Sequence, residues 1–259
     1  MKKILYSVAL AACCMGTMTS CSDFLDASNK SNVTAKQSFA TKEGLNNLVN
    51  DAYQHLQNVY AAPLFTSCFS AGTDMYADAR NKTNEALNTY ETLTPENTDI
   101  KNLYTYLYSG IRAANSVSYY AQTAQVDEKT KGQLVGEARV LAAYEYYLLV
   151  NNFGGVPIMK DFLTTADTGY PKSSATDVYA YIISELEDVI SKNVLQASTA
   201  TKGGGRISQE TAKAILAKTY LSAAWDLNKQ EYFSKAAALA DKVIAGRRLT
   251  TPFAKRWKA

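Results

Sequence analysis

The 259-residue sequence has a single histidine, His55, no CxxC motif and no HExxH motif. A zinc site of the usual spacing is therefore not expected, because such sites draw on several His and Cys ligands. No GxSxG motif is present, and only His55 could serve as the base of a Ser-His-Asp triad. These absences predict a protein that is not an enzyme and that needs no cofactor.

Strong charge of one sign is also missing, since the formal net charge is +3. Two of the positive charges, Lys2 and Lys3, belong to the first twenty residues, which contain no acid, so the remainder carries +1. Five basic residues lie near the chain end: Arg247, Arg248, Lys255, Arg256 and Lys258. They are too local to indicate a nucleic-acid site, and we expect a solvated surface there.

Long apolar runs are absent as well. The longest, Ile4 to Met15, follows two lysines and is shorter than the roughly 20 residues of a membrane-spanning helix. Residues 1–20 therefore read as a signal peptide. The sequence Met18-Thr19-Ser20-Cys21 resembles a bacterial lipobox, which predicts acylation of Cys21. The alternative is an ordinary signal peptide that is cut elsewhere.

The cysteines other than Cys21 are consistent with an exported protein that has no disulfide bonds. Cys13 and Cys14 would leave with the signal peptide, and Cys68 then has no partner, which favours a buried structural thiol. Residues 21–35 are polar and are predicted to form a tether between the lipid and the folded body.

Apolar residues recur at helical spacing almost throughout, which predicts an all-α body. The predicted helices are Thr41–Tyr60, Ile100–Gln122, Gln133–Val150, Asp177–Ile190, Ser208–Ala224 and Glu231–Ala245. Thr41 and Asp177 are the expected N-caps of their helices. The last two helices span about 34 residues, typical of a tetratricopeptide unit, so we expect stacked antiparallel helix pairs with long irregular loops. A generic helical hairpin is the alternative.

Residues 66–98 form a loop-like stretch rich in Tyr, Asn, Thr and Asp. Sugars present an apolar face and a rim of hydroxyls, and aromatic rings with polar neighbours suit both. The candidate ligand residues are Asp74, Tyr76, Asp78, Arg80, Asn81 and Tyr90. The stretch could equally be a hydrated connection, and the same residues would suit a peptide.

An acidic group lies on the exterior of a predicted helix and is expected to be solvated. Its members are Glu185, Glu187 and Asp188.

Five segments in order resemble the SusD/RagB family of surface lipoproteins. They are Cys21 to Asp26, Tyr108 to Asn115, Gly136 to Pro157, Gly205 to Leu221, and Tyr232 to Ile244. Tyr104 stands where the family usually has Trp, and Lys172 where it often has Arg. The resemblance implies a lipid-anchored protein at the outer membrane that faces the cell exterior. It also implies that the protein binds an oligomeric nutrient, a glycan first of all, for a TonB-dependent SusC-like transporter.

The same resemblance implies that residues 36–259 are the family's N-terminal helical domain, because members usually continue for about as many residues again. Three other functions stay open. The chain could be a helical adaptor that binds another protein, a peptide-binding member of the family, or a surface hydrolase that uses Asp74 or Asp78. The hydrolase is disfavoured by the missing catalytic constellation.

Overall fold

The computed structural model describes residues 34–61, 64–76, 85–165, 167, 169–197 and 205–246. The predicted signal peptide, Cys21 and the basic cluster near the chain end lie outside these residues, as do Asp78, Arg80 and Asn81. The described residues divide between two units, with residues 34–37 in the first and those from Ser38 onward in the second. The described part of the first, residues 34–37, begins a one-turn helix in which the Gln37 N–H donates to Thr34 Oγ1 at 3.3 Å.

Nine helices account for the secondary structure of the described residues, which contain no strand beyond an isolated bridge between Thr73 and Tyr76. They are α1 (Ala35–Ser38), α2 (Lys42–Tyr60), α3 (Leu64–Phe69), α4 (Glu85–Thr89), α5 (Thr98–Ala121), α6 (Glu128–Phe153), α7 (Ala175–Lys192), α8 (Gln209–Asp226) and α9 (Gln230–Ile244). The predicted all-α class is confirmed. No described helix is both long enough and apolar enough to cross a bilayer.

Side-chain caps fix where most of the long helices begin. An oxygen of the N-cap residue accepts a hydrogen bond from the first turn at Thr41, Asn97, Asp127, Ser174 and Ser208. Such bonds satisfy N–H groups that have no partner within the helix. Thr41 is the cap that was predicted. The expectation for Asp177 is wrong, because Ser174 caps α7 and Asp177 completes a reciprocal capping box with it.

The long helices pack in sequence as antiparallel neighbours. Tyr104 meets Phe153 across α5 and α6, with ring centroids 5.2 Å apart, and Tyr146 meets Tyr181 across α6 and α7 at 5.3 Å. Helices α8 and α9 are joined by residues 227–229 alone, which makes them a tight hairpin. These pairs enclose one apolar core and confirm the predicted stacked-pair architecture.

Helix α6 is the centre of that core and is buried on both sides. It contributes thirteen buried residues, two of them glutamates that are 0% exposed, Glu137 and Glu145. An ionised carboxylate in such a place is costly unless it is paired and hydrogen-bonded. Glu137 is paired with an arginine, whereas the raised pKa of Glu145 favours its neutral form.

Glu137 is paired with Arg206, which comes from the segment just before α8. Arg206 Nε lies 2.7 Å from Glu137 Oε2, and its two terminal nitrogens donate to Asn50 and Asn46 of α2 at 2.9 and 3.1 Å. Tyr53 of α2 donates to the same Glu137 oxygen at 3.3 Å and accepts from the Ile207 N–H at 2.7 Å. Burial raises the pKa of Tyr53 to about 12, so its hydroxyl stays protonated.

Glu145 has no hydrogen-bond partner for either carboxyl oxygen among the described residues. It fits because Gly110 of α5 has no side chain, and a Cβ there would lie 1.7 Å from Glu145 Oε1. Burial raises the pKa of Glu145 well above its ordinary value, because the charged form would lose its hydration without gaining a partner.

The acidic group of α7, Glu185, Glu187 and Asp188, was expected to be solvated, and this expectation is wrong because all three side chains accept hydrogen bonds from neighbouring helices. Arg139 of α6 donates to Glu185 at 2.7 Å and to Asp188 at 2.5 Å, and Glu187 accepts from the Tyr220 hydroxyl at 2.6 Å. Hydrogen bonds from Lys192 and Arg139 hold the pKa of Asp188 below its ordinary value. These acids therefore join α7 to both of its neighbours.

The Arg206→Met substitution tests the buried pair. It leaves Glu137 charged and unpaired, and we expect the free energy of unfolding to fall by about 3–5 kcal/mol in urea titrations. The double variant Arg206→Met/Glu137→Gln should recover much of that loss, because no charge then remains buried. Lys101 of α5 is exposed and has no ion pair among the described residues, so Lys101→Met is the control and should change stability by less than about 0.5 kcal/mol. Equal effects of Arg206→Met and Lys101→Met would contradict this account.

The Glu145→Gln substitution tests the unpaired carboxyl through the pH dependence of stability. The folded state keeps a proton that the unfolded chain releases above about pH 4.3, so the wild-type stability should fall as pH rises from there. The glutamine variant lacks this titration, and its stability relative to wild type should grow by up to about 1.4 kcal/mol per pH unit. Glu128→Gln, on the exposed start of the same helix, should show no such trend. A stability difference between Glu145→Gln and wild type that does not change with pH would refute the assignment.

Candidate functional site

Exposed aromatic and large apolar side chains concentrate in the connection between α2 and α5. Of the nine among the described residues, five lie between positions 60 and 90: Tyr60, Phe65, Met75, Tyr76 and Tyr90. We call the four aromatic rings of this set, Tyr60, Phe65, Tyr76 and Tyr90, the aromatic surface. Scattered apolar residues are ordinary on a protein surface, whereas a local concentration marks a place of interaction.

One part of the aromatic surface is built where α2 ends and α3 begins. The ring of Phe65 lies 5.5 Å from those of Tyr60 and Phe69, centroid to centroid, and Tyr60 and Phe69 stack at 6.4 Å. The Tyr60 hydroxyl is hydrogen-bonded to that of Tyr144 on α6. Burial and this bond raise the pKa of Tyr60, so the ring is held in place as a neutral phenol.

The other part is a turn that follows α3 and is held by local hydrogen bonds. The Ala71 N–H donates to Thr66 O at 2.8 Å, and Thr73 Oγ1 donates to Ser70 O at 2.8 Å. Tyr90, with φ of +63°, turns its hydroxyl back to donate to Gly72 O at 3.4 Å. A Cβ on Gly72 would lie 2.2 Å from that hydroxyl, so glycine is required for this contact.

A cavity of about 440 Å³ lies beside Tyr90. It is lined by Ser67, Cys68, Ala71, Leu87, Tyr90, Ile100, Leu103, Asn152 and Phe153. The volume falls within the range of about 300–1,000 Å³ that small-ligand pockets occupy. Cys68 is half-buried, and burial raises the pKa of its thiol to about 11, which makes it a poor nucleophile and fits the expected structural role.

Three of the six predicted ligand residues can be located. Asp74 and Tyr76 are exposed on the turn after α3, and Tyr90 packs against Gly72 of that same turn. Asp78, Arg80 and Asn81 fall in residues 77–84, which are not described. A role in ligand binding remains a prediction for all six residues.

Sequence reasoning missed Tyr60 and Phe65. Tyr60 follows the apolar stripe of α2 by a single position, and α3 is too short to show a periodicity of its own. The available signal was the density of aromatic residues at 60, 65 and 69 around Pro63.

Comparison with known proteins decides the family. A family model described as starch-binding and associating with the outer membrane matches residues 23–221. The chain belongs to the SusD-like family. Among curated SusD-like relatives, protein P38 from Formosa agariphila is 29% identical over 192 residues, which cover 71% of this chain and 36% of P38. A SusD-like protein from Bacteroides ovatus is 31% identical over 119 residues, which cover 44% of this chain and 21% of that relative.

Solved SusD-like structures share the fold. Surface glycan-binding protein A from Bacteroides uniformis superposes with a TM-score of 0.69 at 27% identity, over 83% of this chain and 49% of that protein. A laminarin-binding SusD-like protein gives a TM-score of 0.63 at 22% identity, over 78% of this chain and 43% of that protein. The chain thus spans less than half the length of each of these four SusD-like proteins.

Proposed function

We propose that this SusD-like chain binds a neutral oligosaccharide at its aromatic surface. The observation that carries the proposal is the concentration of exposed rings around α3 in a member of this family. The similarity to a surface glycan-binding protein at 27% identity supports the same ligand class.

The chemistry of the aromatic surface suits a sugar. A tyrosine or phenylalanine ring offers a rigid apolar area against which a sugar ring can lie, and it has only two torsions to immobilise. Phe65 is 38% exposed and rests on Tyr60 and Phe69, so its position is set before a ligand arrives. Asp74, on the adjoining turn, supplies a carboxylate that can accept from hydroxyls.

The proposal extends to the location and the partner. Cys21 carries acyl chains, and residues 21–35 hold the folded body at the outer membrane, where it faces the exterior. Each buried methylene contributes about 0.8 kcal/mol, so two or more acyl chains suffice for lasting attachment. The bound glycan passes to a TonB-dependent SusC-like barrel, and the chain itself performs no chemistry on it.

Binding can be tested with the Cys21→Ser protein and four probes: maltoheptaose, laminarihexaose, xylohexaose and mannohexaose. We expect calorimetry to show saturable binding of at least one probe. Phe65→Ala with Tyr76→Ala should weaken that binding about tenfold or more, since the stacking area is lost and 1.4 kcal/mol corresponds to a factor of ten. Trp225→Ala is the matched control, because Trp225 is 73% exposed but lies on α8, outside the aromatic surface. Full affinity in the double variant, or no binding of any probe, would refute the proposal.

Anchor and partner can be tested in the native membrane. After gentle solubilisation, wild-type protein should co-purify with a large β-barrel protein, and it should incorporate radiolabelled palmitate. Cys21→Ser should lose the label, while Cys68→Ser should retain it. A labelled Cys21→Ser protein would contradict the anchor. Recovery of the wild type alone, under conditions that preserve other barrel complexes, would contradict the partner.

A second candidate function, a protein-binding adaptor, is favoured by one observation. An apolar groove of about 420 Å³ runs between α8 and α9, and Leu221, Trp225 and Ile244 on these helices are 47%, 73% and 61% exposed. Repeat proteins bury such faces against a neighbouring repeat or a partner. The adaptor function would gain support if the four sugars failed to bind.

A further inference from the structure

We propose that a second sugar-binding site surrounds Arg112 on α5, apart from the aromatic surface. Two cavities of about 360 and 300 Å³ share this residue in their walls. The larger lies between α5 and the described residues 159–165 and 167, and the smaller lies between α2 and α5. Neither shares a lining residue with the cavity beside Tyr90. Both volumes fall near the lower end of the range of about 300–1,000 Å³ for small-ligand pockets.

Arg112 is placed to donate to a ligand. Its guanidinium carbon lies 5.0 Å from the centroid of the Phe162 ring, which supports the planar group from one side. Within the described part of the chain, no acidic side chain lies within ion-pair distance of it. A supported, unpaired guanidinium is a rigid fork of donors, so little freedom is lost when it binds.

Aromatic rings form a wall next to the guanidinium. Phe162 contacts Tyr119 and Tyr120 at centroid distances of 5.4 and 5.8 Å, and Phe39 extends the cluster through Tyr120 at 4.8 Å. Tyr119 is 43% exposed, so part of this wall is open to a ligand. The apolar face of a sugar ring fits such a wall, as it does at the aromatic surface.

The charges of the lining indicate that the ligand is neutral. Asp161 and Asp167 line the larger cavity and Asp51 the smaller, so three carboxylates accompany the one guanidinium. They would repel a sulfate or a uronate. Hydroxyls of a neutral sugar both donate and accept, so they can pair with carboxylates and guanidinium together. His55 lines the smaller cavity as well, and its Nδ1 is buried with no hydrogen-bond partner among the residues that the structure describes.

The walls of the larger cavity are held by the helices beneath them. Asn115 of α5 donates through Nδ2 to Met159 O at 2.9 Å, and the Met159 N–H donates to the Tyr146 hydroxyl of α6 at 2.7 Å. The segment that carries Asp161 and Phe162 is therefore fixed to two long helices. A site on such supports keeps its geometry before the ligand arrives.

The second site takes its ligand class from the proposed glycan-binding function, so the experiment must separate the two. The Cys21→Ser protein, labelled with ¹⁵N, is titrated with the same four oligosaccharides, and the Nε–H signal of Arg112 is followed by NMR. Arg112→Met identifies that signal by its loss. Lys101→Met is the matched control, because it removes an exposed positive charge from the same helix.

We expect one or more of the probes to shift the Arg112 signal saturably. The shift should persist when Phe65→Ala and Tyr76→Ala weaken binding at the aromatic surface. Arg112→Met should weaken the affinity of that probe in calorimetry at least tenfold, and Lys101→Met should leave it unchanged.

If a probe binds at the aromatic surface while the Arg112 signal stays fixed, the second site is refuted and the proposed function stands. If no probe binds anywhere, both are refuted. A response to methyl glucuronide or sulfate, and to none of the four neutral probes, would refute the neutral-sugar assignment.

Discussion

The ion pair between Glu137 and Arg206 is the contact on which the rest of the helical stack depends. Glu137 lies in the middle of the most buried helix, and Arg206 comes from the segment just before α8, with the two asparagines of α2 completing the donor pattern. One residue therefore connects three elements that are far apart in the chain. Because a buried carboxylate needs its cation, α8 can pack only where Arg206 reaches Glu137. The α8–α9 hairpin is positioned by charge pairing as well as by apolar contact.

The candidate sites lie beside this stack and use its rigidity. The aromatic surface is built on a helix of only six residues, yet Tyr60 is tied to α6 through Tyr144. The pockets around Arg112 depend in the same way on Asn115 and Tyr146, which hold the segment containing Met159. The aromatic surface lies at the end of α2, on the short α3 and on the turn after it, whereas at the second site Arg112 lies within α5 and faces Asp161 and Phe162 on a loop. In both places the groups that fix the loop or short helix belong to long helices. This division lets loops differ in ligand preference without altering the core.

Much of the fold follows from sequence periodicity, and the exceptions have physical causes. The stripe on α2 and the Thr41 cap were predictable because α2 has one buried face. Helix α6 begins five residues before its predicted start, since its first turn is polar and is defined by the Asp127 cap. Helices α3 and α4, of six and five residues, are too short for a periodic signal. For the sites, aromatic composition drew attention to residues 66–98, where Tyr76 and Tyr90 are exposed, and their role in binding stays a prediction. The pockets around Arg112 depend on side chains from α2, α5 and a distant segment, which no local pattern relates.

The contact between Gly110 and Glu145 also constrains sequence change. The carboxyl occupies the volume that a side chain at position 110 would need, and no attraction joins the two residues. A larger residue at 110 becomes acceptable only after position 145 has become smaller, so the order of substitutions matters. The two positions share one volume, and a path that changes position 110 first must displace the buried Glu145 carboxyl. Related chains that carry alanine or serine at 110 should therefore carry a compact residue at 145.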